Sequence, residues 1–137
     1  MDPLIKKAYL AVLKEELVPA MGCTEPIALA YAAARVRALL SGAPDGILVR
    51  CSGNMIKNVR CVQIPHSGGM HGIEAAAALG AFGGDAAREM EVLEAVSEED
   101  IRQAEAFVRE GRCRVEFLES EIPLHFIVEA RCGAETV

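Results

Sequence analysis

The sequence predicts an α+β fold in which helices pack on a small, mainly antiparallel sheet. Three observations lead there. Apolar residues recur at helical spacing over most of the chain up to Gly111. A short alternating segment, Ile47 to Ser52, interrupts them, and beyond Gly111 the period shifts to two. Helices followed by an antiparallel pair, with one earlier strand, form layers of this type.

Asp2 and Pro3 suit an N-cap and a first helical turn, and Leu4, Ile5, Ala8, Val12, Leu13 and Leu17 then mark an amphipathic helix that Pro19 ends. Thr24 is placed to cap a second helix, with Glu25 and Pro26 in its first turn, running to about Leu40. Its alanines, Ala28, Ala30, Ala32, Ala33 and Ala34, put small residues on most faces, which suits a central helix approached closely by its neighbours. In the strand that follows, Ile47, Val49 and Cys51 share one side, and Ser52-Gly53-Asn54 is expected to turn the chain.

His66 to Gly72 leads into an Ala-rich helix, Ile73 to Phe82, closed by Gly83-Gly84. Asp85 is expected to cap a helix through Val96. Ser97 and Asp100 resemble a capping box for the next, with Ile101, Ala104 and Val108 as its apolar stripe. In the tail, Cys113, Val115 and Phe117 alternate with polar neighbours; after Pro123, so do Leu124, Phe126, Val128 and Ala130, with His125 on the polar face. These two segments are expected to pair as a hairpin.

The 137 residues are 52% hydrophobic and 25% charged, the balance of one ordinary globular domain spanning 1–137. Such a chain buries roughly two thirds of its unfolded surface and needs no metal or disulfide to fold. Its net charge of −6 gives no long-range attraction for nucleic acid or an anionic membrane. The N-terminus lacks the order of regions in a signal peptide, and charges interrupt every long apolar run. The five cysteines, Cys23, Cys51, Cys61, Cys113 and Cys132, are widely spaced without a Cys-x-x-Cys pair, which fits free thiols in a reducing cytoplasm.

Three loops beside helices carry the candidate chemistry. In Met21-Gly22-Cys23-Thr24-Glu25-Pro26, a thiol just before a helix faces unsatisfied N–H groups that favour the thiolate, although the same cysteine also fits a small buried side chain beside an N-cap. In Ser52-Gly53-Asn54-Met55-Ile56-Lys57-Asn58, a hydroxyl, two carboxamides and an ammonium suit the polar groups of a small amino acid. A glycine turn with a solvated lysine accounts for them equally well; Lys57 would act as a base only if burial stripped its solvent. The loop from His66 to Gly72 resembles an anion cradle at a helix N-terminus, where Ser67, Gly68 and Gly69 would let backbone N–H groups approach a carboxylate. It has neither a dinucleotide fingerprint nor a P-loop ending, and His66 and His71 read as polar loop residues.

Gly22-Cys23-Thr24-Glu25-Pro26, the Ser52-to-Asn58 segment, Ile64-Pro65 and the run Gly72-Ile73-Glu74-Ala75-Ala76-Ala77-Ala78-Leu79-Gly80 together resemble the L-cysteine desulfidase family, related to the alpha chain of iron–sulfur L-serine dehydratase. The resemblance extends over nearly all of the chain but only about the first third of the family's length. It implies an oxygen-sensitive lyase of amino-acid catabolism that carries a 4Fe-4S cluster and releases pyruvate, ammonia and sulfide from L-cysteine, or water from L-serine. An open iron of such a cluster acts as a Lewis acid.

By the same resemblance, Cys23 is one cluster ligand. Thr24, Glu25, Ser52, Asn54, Asn58, Ser67, Gly68 and Gly69 are candidate substrate contacts, and Lys57 is a candidate catalytic residue. The family's remaining cluster cysteines lie downstream of Val137. The expectation is therefore an N-terminal segment that binds no cluster alone and needs a C-terminal portion or a partner chain for activity. The sequence leaves homo-oligomerisation open. A non-catalytic module that binds an amino acid without a cluster is the competing reading; a thiol hydrolase built on Cys23 is a third.

Overall fold

The computed structural model describes residues 2–16 and 24–137. Helix α1, Pro3–Glu16, starts as the sequence suggests: the Asp2 carboxylate accepts the Leu4 N–H at 2.7 Å and the Asp2 carbonyl accepts that of Lys6 at 3.0 Å. Its apolar residues Leu4, Ile5, Tyr9 and Leu10 are exposed.

Helices α2, Thr24–Leu39, and α4, Gly72–Gly83, make the main helical contact. Their alanines let the two backbones touch. A Cβ built on Gly80 would stand 2.1 Å from the Ala30 carbonyl oxygen, and one on Gly84 would stand 3.0 Å from the Ala34 Cβ. Both contacts advance by four residues in the same direction, so the helices run parallel and their N-termini lie at one end of the pair. Ala30, Ala76, Ala77 and Ala78 are sealed from solvent.

Helix α5, Glu98–Arg109, carries the expected capping box: Ser97 Oγ accepts the Asp100 N–H at 3.1 Å, and the Asp100 carboxylate accepts that of Ser97 at 2.9 Å. It packs on α4, with Phe82 and Phe107 edge to face at 5.1 Å.

The sheet comprises β1, Gly46–Cys51, β2, Cys113–Phe117, β3, Phe126–Cys132, and β4, Glu135–Thr136, in the order β2-β1-β3-β4. Two of its three pairings are antiparallel; β1 and β2 run parallel. Ile47, Val49 and Cys51 face the helices with Cys113 and Ala130, and the core lies between that face and α2, α4 and α5. Among the described residues no helix is long and apolar enough to cross a membrane.

Three expectations about the elements need correction. The tail is not a hairpin, because β1 lies between β2 and β3 and pairs with both. Alternation shows which face of a strand is apolar but not which strand lies beside it. Here the most buried strand takes the centre, and residues 118–125 are long enough to cross over it. Ser52-Gly53-Asn54 opens a helix, α3, Gly53–Val59, instead of reversing the chain. Met55 and Val59, four residues apart, bury one stripe of that helix, and the Ser52 carbonyl accepts the Ile56 N–H at 3.1 Å.

Finally, Asp85 does cap a helical segment, accepting the Ala87 N–H at 3.0 Å, but the segment is a 3₁₀ helix, Ala86–Glu91, and does not continue to Val96. Glu89 sits at φ +52° and breaks it. The Asp85 N–H then bonds to the Val92 carbonyl at 3.0 Å, closing a compact loop that buries the neighbouring Val92 and Leu93 completely.

Candidate functional site

The parallel pairing of α2 and α4 sets two helix N-termini side by side, with the partial positive charge that helix N-termini carry. Helix α3 packs against both. Its C-cap residue Arg60 places a carbonyl oxygen 3.1 Å from where a Gly72 Cβ would be, and Gly72 holds φ +92°; only a residue without a side chain opens α4 so close to α3. Three elements thus converge at one end of the helical layer.

On α3, Asn54, Lys57 and Asn58 lie at i, i+3 and i+4 and are all exposed, opposite the buried Met55 and Val59. Exposure leaves Lys57 without the desolvation that a lysine base requires. At the start of α2, Thr24 is exposed and its hydroxyl donates to the Glu25 carboxylate at 3.3 Å. Cys23, the expected cluster ligand, lies outside the described residues.

Two of the sequence-predicted contacts are bound up in the fold. Ser52 is buried; its hydroxyl donates to the Pro123 carbonyl at 2.6 Å and accepts the His125 N–H at 3.2 Å. It pins residues 118–125 to the end of β1. His125 belongs to that crossing loop, not to the polar face of β3, and its Nδ1 lies 2.8 Å from Ser120 Oγ. Ser67 is also buried, donating to the Ile64 carbonyl at 2.6 Å and accepting the Met70 N–H at 2.9 Å.

The Ser67-Gly68-Gly69 turn does not sit at the start of α4. Gln63 bridges to His71, and the Ile64 N–H bonds to the Met70 carbonyl, so residues 65–69 form the tip of a narrow loop. A Cβ on Gly68 would touch Ile101 of α5 at 3.7 Å, and the adjacent Asp100 meets Gly83, the last residue of α4. The tip therefore points toward the far end of α4, and of the loop's glycines only Gly72 lies at the helix start. Gly68 at φ +68° and Gly69 at φ +99° serve the tip, beside an open depression of about 560 Å³.

Sequence reasoning passed over Glu74. It is the only charged side chain in the run from Gly72 to Phe82, which was a usable signal, and it lies half-buried in the first turn of α4. Its charge reaches two thiols across the core. Burial, with Glu74 second, pushes Cys51 up to about 11 and Cys113 up to about 12, from an ordinary 9.0. Both therefore stay protonated near neutrality. Cys61 is exposed and Cys132 half-buried. Among the described residues no three histidine, cysteine or carboxylate side chains are grouped to hold a metal ion.

The chain is similar to several proteins described as UPF0597 protein. It is 40% identical to the one from Treponema denticola over 136 residues, which is 99% of this chain and 32% of that protein. It is 46% identical to the one from Lachnoclostridium phytofermentans over 127 residues, 93% of this chain and 30% of that protein. With the Fusobacterium nucleatum protein the identity is 40% over 137 residues, 100% of this chain and 32% of that protein. The chain thus spans about a third of the length of these relatives and is homologous to their N-terminal part. No family model and no solved structure matches it.

Proposed function

We propose that this chain, a homologue of the N-terminal part of UPF0597 proteins, is the substrate-holding portion of a longer lyase that removes the β-substituent of L-cysteine or L-serine. The products are pyruvate, ammonia and either sulfide or water. The observation that carries the reading is the convergence of the α2 and α4 N-termini with α3, whose exposed face holds Asn54, Lys57 and Asn58.

A small amino acid is a zwitterion, and this end of the molecule offers groups for both of its charges. The two helix N-termini attract its carboxylate, and the Asn54 and Asn58 carboxamides and the Lys57 ammonium donate hydrogen bonds to it. Glu25 and Glu74 supply negative charge for its ammonium. Glu74, half-buried where Lys57 is exposed, is the better placed of the two to accept the α-proton in a site closed to water.

The described residues do not make up the ligand set of a 4Fe-4S cluster, since the Cys51 and Cys113 thiols are buried, protonated and not grouped with other ligands. In this reading the cluster belongs to the complete protein, with Cys23 as one ligand and the others contributed from outside the chain. The work of this chain is to bind the amino acid, orient it and take a proton.

The test is to express the complete reading frame containing this chain, reconstitute it anaerobically with iron and sulfide, and add L-cysteine or L-serine. Pyruvate should form with either or both. Saturable amino-acid binding without turnover in the complete protein would replace this reading with the non-catalytic binding module.

A further inference from the structure

We propose that the face of the sheet turned away from the helices carries a second binding site, for a small multivalent anion bearing carboxylate or phosphate groups. Alternation along the strands builds it. Gly46 pairs with Arg131 of β3, and Arg131 with Thr136 of β4, while Leu48 pairs with Arg114 of β2. The Arg112 carbonyl accepts the Ile47 N–H at 2.9 Å, which sets Arg112 beside Gly46 on the other flank. Successive side chains in a strand point to opposite faces, so Gly46, Leu48, Arg114, Arg131 and Thr136 share the uncovered one. They border a cleft of about 460 Å³, within the range of small-molecule sites.

Gly46 is what makes the cleft hollow. A Cβ there would lie 3.3 Å from the Arg131 guanidinium, so glycine leaves the floor open between Arg112 and Arg131. The nearby carboxylates are occupied elsewhere. Glu129 pairs with Arg50, and Asp45 accepts the Gly133 N–H at 2.7 Å. Arg112 stacks on the Phe107 ring at 5.3 Å and reaches Glu110 only at 3.4 Å; Arg114 reaches Glu116 only at 3.4 Å. Arg131 has no carboxylate partner among the described residues. In a chain of net charge −6, three arginines line one hollow, and the Arg131 guanidinium stands at its floor beside Gly46. Guanidinium groups match carboxylate and phosphate oxygens in bidentate fashion, and the small volume and isolated charge exclude a nucleic acid strand.

The cleft lies at the Gly46 end of β1, about 20 Å of strand away from Asn54. It is independent of the lyase reading, and either can fail without the other. The 137-residue chain is titrated calorimetrically with sodium pyrophosphate, inorganic phosphate and citrate at constant ionic strength. Saturable binding of one anion per chain is expected, and the arm that binds most tightly separates a phosphate-type from a carboxylate-type ligand.

Arg131→Ala should weaken that binding about tenfold or more. Gly46→Ala, which fills the floor without removing a charge, should weaken it as well, with circular dichroism unchanged in both variants. No saturable heat with any of the three anions, or Arg131→Ala binding as tightly as the native chain, overturns the proposal. So does binding by the isolated chain that vanishes in the complete protein, since an internal acidic segment would then be the occupant.

Discussion

Replacing Gly80 with alanine should unfold the seam that aligns the two helix N-termini. In an isolated helix the change is favourable by about 1 kcal/mol, because glycine is the poorer helix former. Here the new methyl would stand 2.1 Å from the Ala30 carbonyl oxygen and 2.7 Å from the Ala30 Cα and carbonyl carbon. Those atoms belong to the backbone and cannot rotate away, so α2 and α4 must separate by about 1 Å to reach ordinary contact distance. A gap of that size forfeits a quarter to a half of the dispersion energy along the seam, and overpacking of this kind costs about 1–3 kcal/mol, occasionally more.

Because the atoms met are backbone, the cost lies at the top of that range, about 3 kcal/mol, and against the propensity gain a net loss of about 2 kcal/mol is expected. In a chain of this length that corresponds to a fall in Tm of roughly 6–10 °C. Thermal melts followed by circular dichroism, with urea unfolding for the free energy, measure it. A Tm equal to or above that of the native chain would show that α2 and α4 do not touch through Gly80, and the parallel alignment of their N-termini would have no basis.

Three further outcomes follow from the same structure. At pH 8, Ellman's reagent should modify Cys61 rapidly, while Cys51 and Cys113 should react only after urea is added; equal rates for all three would contradict their burial. Because both buried thiols hold their protons past the ordinary 9.0, stability should be flat below pH 9 and fall as pH rises toward 11–12, where only the unfolded chain has already released them. Melts at pH 8 and pH 10 test the sign, and Cys113→Ala should flatten the dependence. Ser52→Ala leaves the Pro123 carbonyl and the His125 N–H without their partner and should cost about 1–3 kcal/mol, with faster amide exchange in residues 118–125; unchanged exchange there would mean that Ser52 does not hold the crossing loop.

The parts of the fold that depend on neighbours in sequence were legible in it. The Asp2 cap, the capping box of Ser97 and Asp100, and the apolar side of β1 all follow from local pattern, and all are found. What failed depended on tertiary partners. Strand order is set by which strand fills the centre, so the expected hairpin gave way to β1 lying between β2 and β3. The helix expected from Asp85 to Val96 yielded to the burial of Val92 and Leu93.

At the candidate site, Asn54, Lys57 and Asn58 share the face their spacing suggests once the segment is seen to be helical. Ser52 and Ser67 could not be told from ligand contacts in advance, because their hydroxyls bond to residues distant or buried in the fold. Glu74 stood out only as a lone charge among alanines, and its half-buried place in the first turn of α4 came from the tertiary packing.

The most direct test of the proposed function is pyruvate release from L-cysteine by the complete, anaerobically reconstituted protein, measured beside its Asn58→Ala and Glu74→Gln variants. The account predicts turnover by the native protein, a raised KM with Asn58→Ala as a carboxylate contact is lost, and a fall in kcat of about a hundredfold or more with Glu74→Gln. Turnover that neither substitution changes would contradict it, placing the substrate somewhere other than the joined N-termini of α2 and α4.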